Sequence, residues 1–353
     1  MEKRNYFSGQ KACMDRRSFL RLSGLLGLGL ASTGVMPLGA SAVKFDRKMV
    51  KVSRTGLAMG TFVSMTLIDP SRDKAEQAMG LAFEEMDRLA RSMSRFDEAT
   101  AVAWLNREGF LNDVPPEVSH VVHKGLDHYR FSRGAFDMTV KPVVDLFKEA
   151  FAKGKVMGPS EKALEEAFGL VGSDNIQVKG RALRLKRPGM GITLDGIAKG
   201  YIVDRASEIL AGHHIENHLI NAGGDIRTMG VRDDKKPWTI AIKDPQKKDR
   251  YPDKIRMTNG AIATSGNYEV FFDREKMFHH IVDPRTGQSP LLTASVSVMA
   301  DTAMDADALS TGVFVMGPGP GVRFIDSMPG CECLVIGRGR GKAQSRGWKS
   351  TAI

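Results

Sequence analysis

The chain has 353 residues, a formal net charge of +10, 42% hydrophobic and 26% charged residues. This is a globular composition, long enough for one large domain or two ordinary ones, and it excludes disordered, collagen-like and coiled-coil chains. Three cysteines exclude a disulfide scaffold or a cysteine-rich metal protein, and 7% aromatics leave no basic-aromatic platform for nucleic acid.

Residues 15–21 read Asp-Arg-Arg-Ser-Phe-Leu-Arg; an apolar stretch at 22–38 and Ala40-Ser41-Ala42 follow. Charged region, apolar region and a small-x-small site are the order of a secretory signal. Arg16-Arg17 ahead of Phe19-Leu20 resembles the twin-arginine type, read by a translocase that carries folded proteins across the bacterial inner membrane. The expected organisation is a signal at 1–42, cleaved on export to the periplasm, and one domain at 43–353. Seventeen residues at 22–38 with four glycines are short for a span of about 20, which leaves an uncleaved inner-membrane anchor as the alternative. Met14 is an alternative start. Without residues 1–42 the balance is 45 basic against 39 acidic residues, so the basicity gives no reason to expect nucleic acid.

Residues 50–68 alternate apolar and polar around Met59-Gly60-Thr61, which predicts an early strand. Ala75, Ala78, Met79, Ala82, Met86, Leu89 and Met93 recur at helical spacing. Pro115-Pro116 halts the chain before Val118, Val121, Val122 and Leu126, a second helix. Residues 142–152 predict a third, with Pro142 in its first turn, and Ser160 is placed to cap a fourth. Residues 176–178 and 182–185 around Lys179-Gly180 predict a hairpin. From Gly191 onward, glycine-rich turns separate further elements. Helices are expected at 196–210 and 303–315. Strands are expected at 219–220, at 238–242, at 262–264 and 270–272 around Ser265-Gly266-Asn267, and at 294–299. The sum is a mixed α/β unit with helices packed on a mostly antiparallel sheet. Cys331 and Cys333 read as half-buried strand residues, with a strained local disulfide as the alternative.

Three segments carry polar groups at spacings suited to chemistry. In Thr302-Ala303-Met304-Asp305-Ala306-Asp307-Ala308-Leu309-Ser310-Thr311, a helix puts Asp307 and Thr311 four residues apart on one face. A carboxylate and a hydroxyl are hard oxygen ligands, suited to Mg²⁺ or Ca²⁺ rather than zinc; the same pair also fits a solvated face. In Leu194-Asp195-Gly196-Ile197-Ala198-Lys199-Gly200, a glycine opening a helix lets the backbone approach an anion, and Lys199 can meet a phosphate as a point charge. The glycine spacing is not that of a Walker loop, and an ordinary loop-to-helix junction looks the same. In the third, His280 precedes the turn Asp283-Pro284-Arg285-Thr286-Gly287 and is a candidate base near neutral pH; His279 reads equally as a surface residue. His120 and His123 have zinc-like spacing without further ligands beside them, and read as a solvated face.

Five segments in one order resemble the ApbE family, the FAD:protein FMN transferases. They are Gly134-Ala135-Phe136-Asp137-Met138-Thr139-Val140, Gly196-Ile197-Ala198-Lys199-Gly200-Tyr201, Asn221-Ala222-Gly223-Gly224-Asp225, residues 263–269 with 280–287, and residues 302–311. The resemblance runs from about Met59 to Val335. It implies a two-layer α/β fold resembling the T-fold. It also implies a bacterial periplasmic, Mg²⁺-dependent enzyme that splits FAD, attaches FMN through a phosphoester to a Thr or Ser of a target flavoprotein, and releases AMP.

By match to the family motifs, Asp307 and Thr311 would hold the metal through their side chains, with backbone oxygens of Gly196 and Ser310. Lys199 would touch a phosphate. Met59, Ala135, Phe136 and Asp137 would line the flavin pocket, and Ile281 would border the nucleotide. His280 would be the base for the target hydroxyl. Asn221 to Asp225 would be a structural turn. Two departures stand out. The FAD-contacting Asp of the family is Thr193 here, with Asp195 two residues later, and the family's frequent Tyr is Phe96. The implied acceptors are periplasm-facing flavin-domain proteins of electron-transfer chains, including the membrane flavoprotein that serves nitrous oxide reduction. The same site would also suit an FAD pyrophosphatase or a non-catalytic flavin-binding maturation factor.

Overall fold

Strand β1 (Ser41–Asp46) pairs antiparallel with β2 (Met49–Ala58), and β2 with β3 (Thr61–Asp69). The sequence predicts a single strand over 50–68. Met59 (φ 52°) and Gly60 (φ 72°) instead form a left-handed two-residue turn that folds the run into a hairpin. The alternation of residue types is the same on both arms, so periodicity alone does not reveal the reversal. The computed structural model describes residues 41–46, 49–152, 158–232, 236–245, 251–267, 279, 281–339 and 341–351, which lie in one unit beginning at Leu38. Ser41 and Ala42, the last residues of the predicted signal, belong to β1; the rest of that segment, the strand expected at 270–272, and His280 lie outside the described residues.

Helix α1 (Arg72–Met93) is capped by Ser71, and the predicted apolar stripe from Ala75 to Met93 is its buried face. Helix α2 (Ala101–Glu108) was not legible: it is two turns long and buries only Val102 and Leu105. After β4 (Phe110–Leu111) come α3 (Pro116–Phe131), a 3₁₀ turn at Met138–Val140, α4 (Lys141–Ala152) and α5 (Glu161–Phe168). Ser160 caps α5 as expected, accepting from the Ala163 amide at 3.3 Å. The expected hairpin is β5 (Ile176–Lys179) with β6 (Ala182–Leu185), which joins β4 in a small three-stranded sheet.

The second half contains α6 (Ala198–Gly212), β7 (Asn217–Ala222), β8 (Asp225–Met229), β9 (Trp238–Ile242), β10 (Asp253–Met257), β11 (Gly260–Gly266) and β12 (Thr293–Ala300). It continues with α7 (Ala303–Met316), α8 (Pro318–Asp326), β13 (Glu332–Gly337) and β14 (Lys342–Gln344). Among the described residues nine strands form one sheet in the order β1-β2-β3-β7-β8-β11-β12-β13-β14, every ladder antiparallel. Successive residues of a strand face opposite sides. Ala261 and Ala263 therefore join the helix-side core with α1 and α6, while Ile262 joins Ile240, Ile255, Leu334 and Trp348 under the β9–β10 ribbon. Among the described residues no helix is long and apolar enough to cross a membrane.

Helix α7 is buried nearly all round, with eleven of its fourteen residues inside, as a helix packed between layers must be. It crosses α6 at Gly200. A Cβ at Gly200 would lie 2.2 Å from the Ala303 carbonyl oxygen and 2.7 Å from Met304 Cα, so only glycine admits this approach. The cysteines of the C-x-C pair are free, Cys333 buried in β13 and Cys331 half-buried ahead of it. Burial pushes their thiols up to about 12 and about 11, which leaves them unreactive near neutral pH.

His218 ties β7 to α6 inside the core. It is fully buried; its Nδ1 donates to the Ile215 carbonyl at 2.9 Å, so Nε2 accepts from the Ser207 hydroxyl at 2.7 Å. Burial pushes it down to about 4. The unfolded chain, at about 6.5, then binds the proton first, so this residue's contribution is complete above pH 6.5 and is lost as pH falls toward 4. The stability gap between wild type and His218→Asn should therefore shrink by about 3 kcal/mol over that range, measured by urea unfolding; a constant gap would refute a neutral buried imidazole. For Gly200→Ala, better helix propensity contributes only about 1 kcal/mol, whereas overpacking against a backbone carbonyl costs about 3 kcal/mol or more. Thermal melting should show a net loss of about 2 kcal/mol; a stabilised variant would refute the contact.

Candidate active site

The α6–α7 crossing assembles the candidate site. The sequence expects a helix from Gly196, but α6 starts at Ala198 because Leu194 to Ile197 form a turn, with the Ala198 amide bonded to the Leu194 carbonyl at 2.8 Å. Gly196 is thereby left as loop backbone in front of α7. A Cβ on it would lie 3.1 Å from Thr311 Oγ1 and 3.4 Å from the Phe136 ring, so loop, helix and ring meet there. Asp307 is 4% exposed and its Oδ2 accepts the Gly200 amide at 3.1 Å. Thr311 follows one turn later on the same face, as its spacing predicts.

Ser265 sits near the end of β11, within the segment at 263–269 that resembles the family. Its Oγ lies 2.7 Å from Ser310 Oγ and 3.2 Å from Thr311 Oγ1, and Ser310 Oγ lies 2.9 Å from the Asp307 carbonyl. Ser265, Ser310 and Thr311 thus bring three hydroxyls together, with Thr311 beside Gly196 and the Asp307 carboxylate one helical turn away at the Gly200 amide. Among the described residues there is no group of three or more His, Cys, Asp and Glu able to hold a metal. The donor set at Asp307 is instead hard oxygen from one carboxylate, hydroxyls and backbone. That fits a cation such as Mg²⁺, which keeps part of its shell for water and phosphate oxygens.

Lys199 stands on the first turn of α6 with its Nζ 2.6 Å from Asp225 Oδ2. Asp225, read from sequence as part of a structural turn, is 1% exposed and so aims this ammonium. The turn itself is close-fitting: a Cβ on Gly223 (φ 66°) would lie 2.6 Å from Thr61 Oγ1, which sets the β7–β8 turn against the β2–β3 turn that carries Met59. Met59 is half-buried and packs on the main core.

Ala135 and Ile281 are buried together in the core cluster of Val296, Val298 and Phe314. Asp137 turns its carboxylate into the fold: Oδ1 accepts from the Thr139 amide (2.7 Å), the Thr139 hydroxyl (2.6 Å) and the Ser173 hydroxyl (2.6 Å), and Oδ2 from the Ser173 amide (3.1 Å). Burial raises its pKa against the pull of those bonds. Phe96 lies at the surface, 64% exposed, with the Arg95 guanidinium 4.5 Å and Lys148 Nζ 5.0 Å from its ring centroid. Thr193 is buried; its amide bonds to the Met138 carbonyl and its hydroxyl accepts the Asp195 amide at 3.3 Å. Asp195 lies 3.4 Å from Arg95 Nε, so its charge is directed at Arg95.

The candidate base, His280, falls outside the described residues. Its neighbour His279 is fully buried rather than a surface residue: its Nε2 donates to the Pro290 carbonyl at 3.1 Å and its ring meets Phe314 edge-on. His120 and His123 are exposed on α3, in keeping with a solvated face.

Residues 59–335 match the ApbE family. A FAD:protein FMN transferase of Haemophilus influenzae is 30% identical over 312 residues, covering 84% of this chain and 87% of that protein. One from Vibrio cholerae is 32% identical over 296 residues, covering 80% and 86%. The crystal structure of the ApbE protein of Thermotoga maritima overlays with a TM-score of 0.77 at 31% identity, covering 84% of this chain and 97% of that one. Fold and sequence agree, and the chain belongs to the ApbE family.

Proposed function

We propose that this chain is a Mg²⁺-dependent FAD:protein FMN transferase that attaches FMN to a Thr or Ser hydroxyl of a partner flavoprotein. The observation that carries the reading is the cluster of Ser265, Ser310 and Thr311 hydroxyls, with Thr311 beside the Gly196 backbone, the Asp307 carboxylate one turn away at the Gly200 amide, and Lys199 paired with Asp225 on the same helix start. The names of the relatives support the transfer of flavin.

The chemistry is a phosphoryl-type transfer. The acceptor hydroxyl oxygen bonds to the FMN phosphorus, the phosphorus–oxygen bond to AMP breaks, AMP departs with that electron pair, and the hydroxyl proton passes to a base, for which His280 is the candidate. Such reactions are accelerated chiefly by positioning and electrostatics. Asp307 and Thr311, with backbone oxygens of Gly196 and Ser310, would hold the cation. When bound, Mg²⁺ neutralises pyrophosphate charge and stabilises the leaving AMP. Lys199 presents a fixed ammonium to a phosphate, and the exposed Phe96 ring offers a face for stacking on the flavin. The segment at 15–42 supports export to the periplasm by the twin-arginine translocase. Acceptors there would be flavin-domain proteins of electron-transfer chains, among them a membrane flavoprotein of nitrous oxide reduction.

The test is mass spectrometry of a candidate acceptor domain incubated with the chain, FAD and Mg²⁺. The expected result is a gain of FMN minus water, abolished by EDTA. In Asp307→Ala the rate should fall at least about 100-fold, as for loss of a fixed electrostatic stabiliser. AMP without an adduct would favour the pyrophosphatase or a different acceptor. Bound FAD with neither product would overturn the enzyme reading and leave a flavin-binding maturation factor.

A further inference from the structure

Asp204 lies on α6 one turn beyond Gly200 and reaches the start of α7. Its Oδ1 accepts the Ala303 amide at 2.9 Å and its Oδ2 the Met304 amide at 2.8 Å. Thr302, ahead of the helix, takes the Asp305 amide at 3.0 Å. The amides that open α7 are therefore all satisfied, two of them by a carboxylate belonging to another helix. Arg227, on β8 two residues after Asp225, stands 3.7 Å from Asp204 Oδ1 and donates to the Asp301 carbonyl. One residue thus links α6 to the first turn of α7, with a β8 guanidinium behind it.

We propose that Asp204 is a positioning residue for flavin transfer: by holding the first two amides of α7 against α6 it sets the depth at which α7 seats, and so where Asp307 and Thr311 present their oxygens to a cation. This rests on the reading of Asp307 and Thr311 as the cation pair. Thr302 already caps α7 locally, so helix formation does not need a carboxylate from α6. Burial pushes that carboxyl up to about 6 against the pull of the two amides and Arg227, a cost that a dispensable cap would not carry. A helix advances about 1.5 Å per residue. Mg²⁺ holds its oxygens at about 2.0–2.1 Å in near-octahedral geometry. A slip of α7 by less than one residue would therefore take Asp307 out of ligating reach. Gly200 and Asp204 act together: the missing Cβ lets the helices meet, and the carboxylate stops them sliding.

The experiment uses the full chain with Asp204→Asn and Asp204→Ala. Mn²⁺, which shares the oxygen preference of Mg²⁺, is titrated by electron paramagnetic resonance; FAD affinity is measured in EDTA; exchange of the α7 amides is followed by mass spectrometry. Mn²⁺ affinity should weaken about tenfold in Asp204→Asn and further in Asp204→Ala, with FAD affinity within about twofold of wild type, as for loss of an outer-shell partner. Exchange over 303–307 should quicken in step. A folded Asp204→Asn chain whose Mn²⁺ affinity stays within about twofold of wild type would overturn the proposal. So would a parallel loss of Mn²⁺ and FAD affinity, the mark of general loosening. Should Asp204→Ala not fold, Asp204→Asn decides. If neither folds, the wild-type chain decides: Ala303 and Met304 amides exchanging as fast as a frayed helix end would also overturn it. Failure of the underlying reading is recognisable separately, because Asp307→Ala would then retain Mn²⁺ affinity.

Discussion

The contact on which this structure depends is the crossing of α6 and α7 at Gly200. The missing side chain lets the Ala303 carbonyl come within what would be 2.2 Å of a Cβ. At the same point the Gly200 amide meets the Asp307 carboxylate. Backbone contact and functional side chain are therefore products of one approach. Gly196 and Lys199 come just before Gly200 in the chain, Ser310 and Thr311 just after Asp307, so the two stretches face each other beside the crossing, and Ser265 reaches in from the sheet.

Around the crossing the protein keeps polar groups at low exposure, each supplied with partners. Asp225 faces Lys199, Asp137 accepts four hydrogen bonds, and His218 stays neutral between a hydroxyl and a carbonyl. Unpaired, each would cost a few kcal/mol. Paired, they hold loops that apolar packing alone would leave free to shift. The site follows that logic: its carboxylate and hydroxyls are held by hydrogen bonds on a buried helix and on the strand beside it rather than on a loop.

Much of the fold was legible. The stripe of α1, the Ser160 cap, the β5–β6 hairpin and α7 follow from period, cap and turn chemistry, all of which act within a few residues. The failures share a cause. The β2–β3 reversal rests on a Met in the left-handed region, which no local preference announces. Helix α2 is too short to establish a period. His279 is buried because Phe314, distant in sequence, meets its ring and the Pro290 carbonyl accepts its hydrogen bond. The pairing of Lys199 with Asp225 spans 26 residues, and nothing in either segment names the other.

Sequence by itself determined the types of group available, their local spacing and the family: Asp307 and Thr311 on one helical face, a glycine before Lys199, and hard oxygen rather than soft ligands. Those properties are set by side-chain chemistry and by the 3.6-residue turn. Tertiary structure decided which groups meet. Ser265 joins Ser310 and Thr311, Asp225 aims Lys199, and Asp204 seats α7, because antiparallel pairing of β8 and β11 and the α6–α7 crossing bring distant segments together. Such contacts arise from packing that closes long loops, and no short-range pattern encodes them.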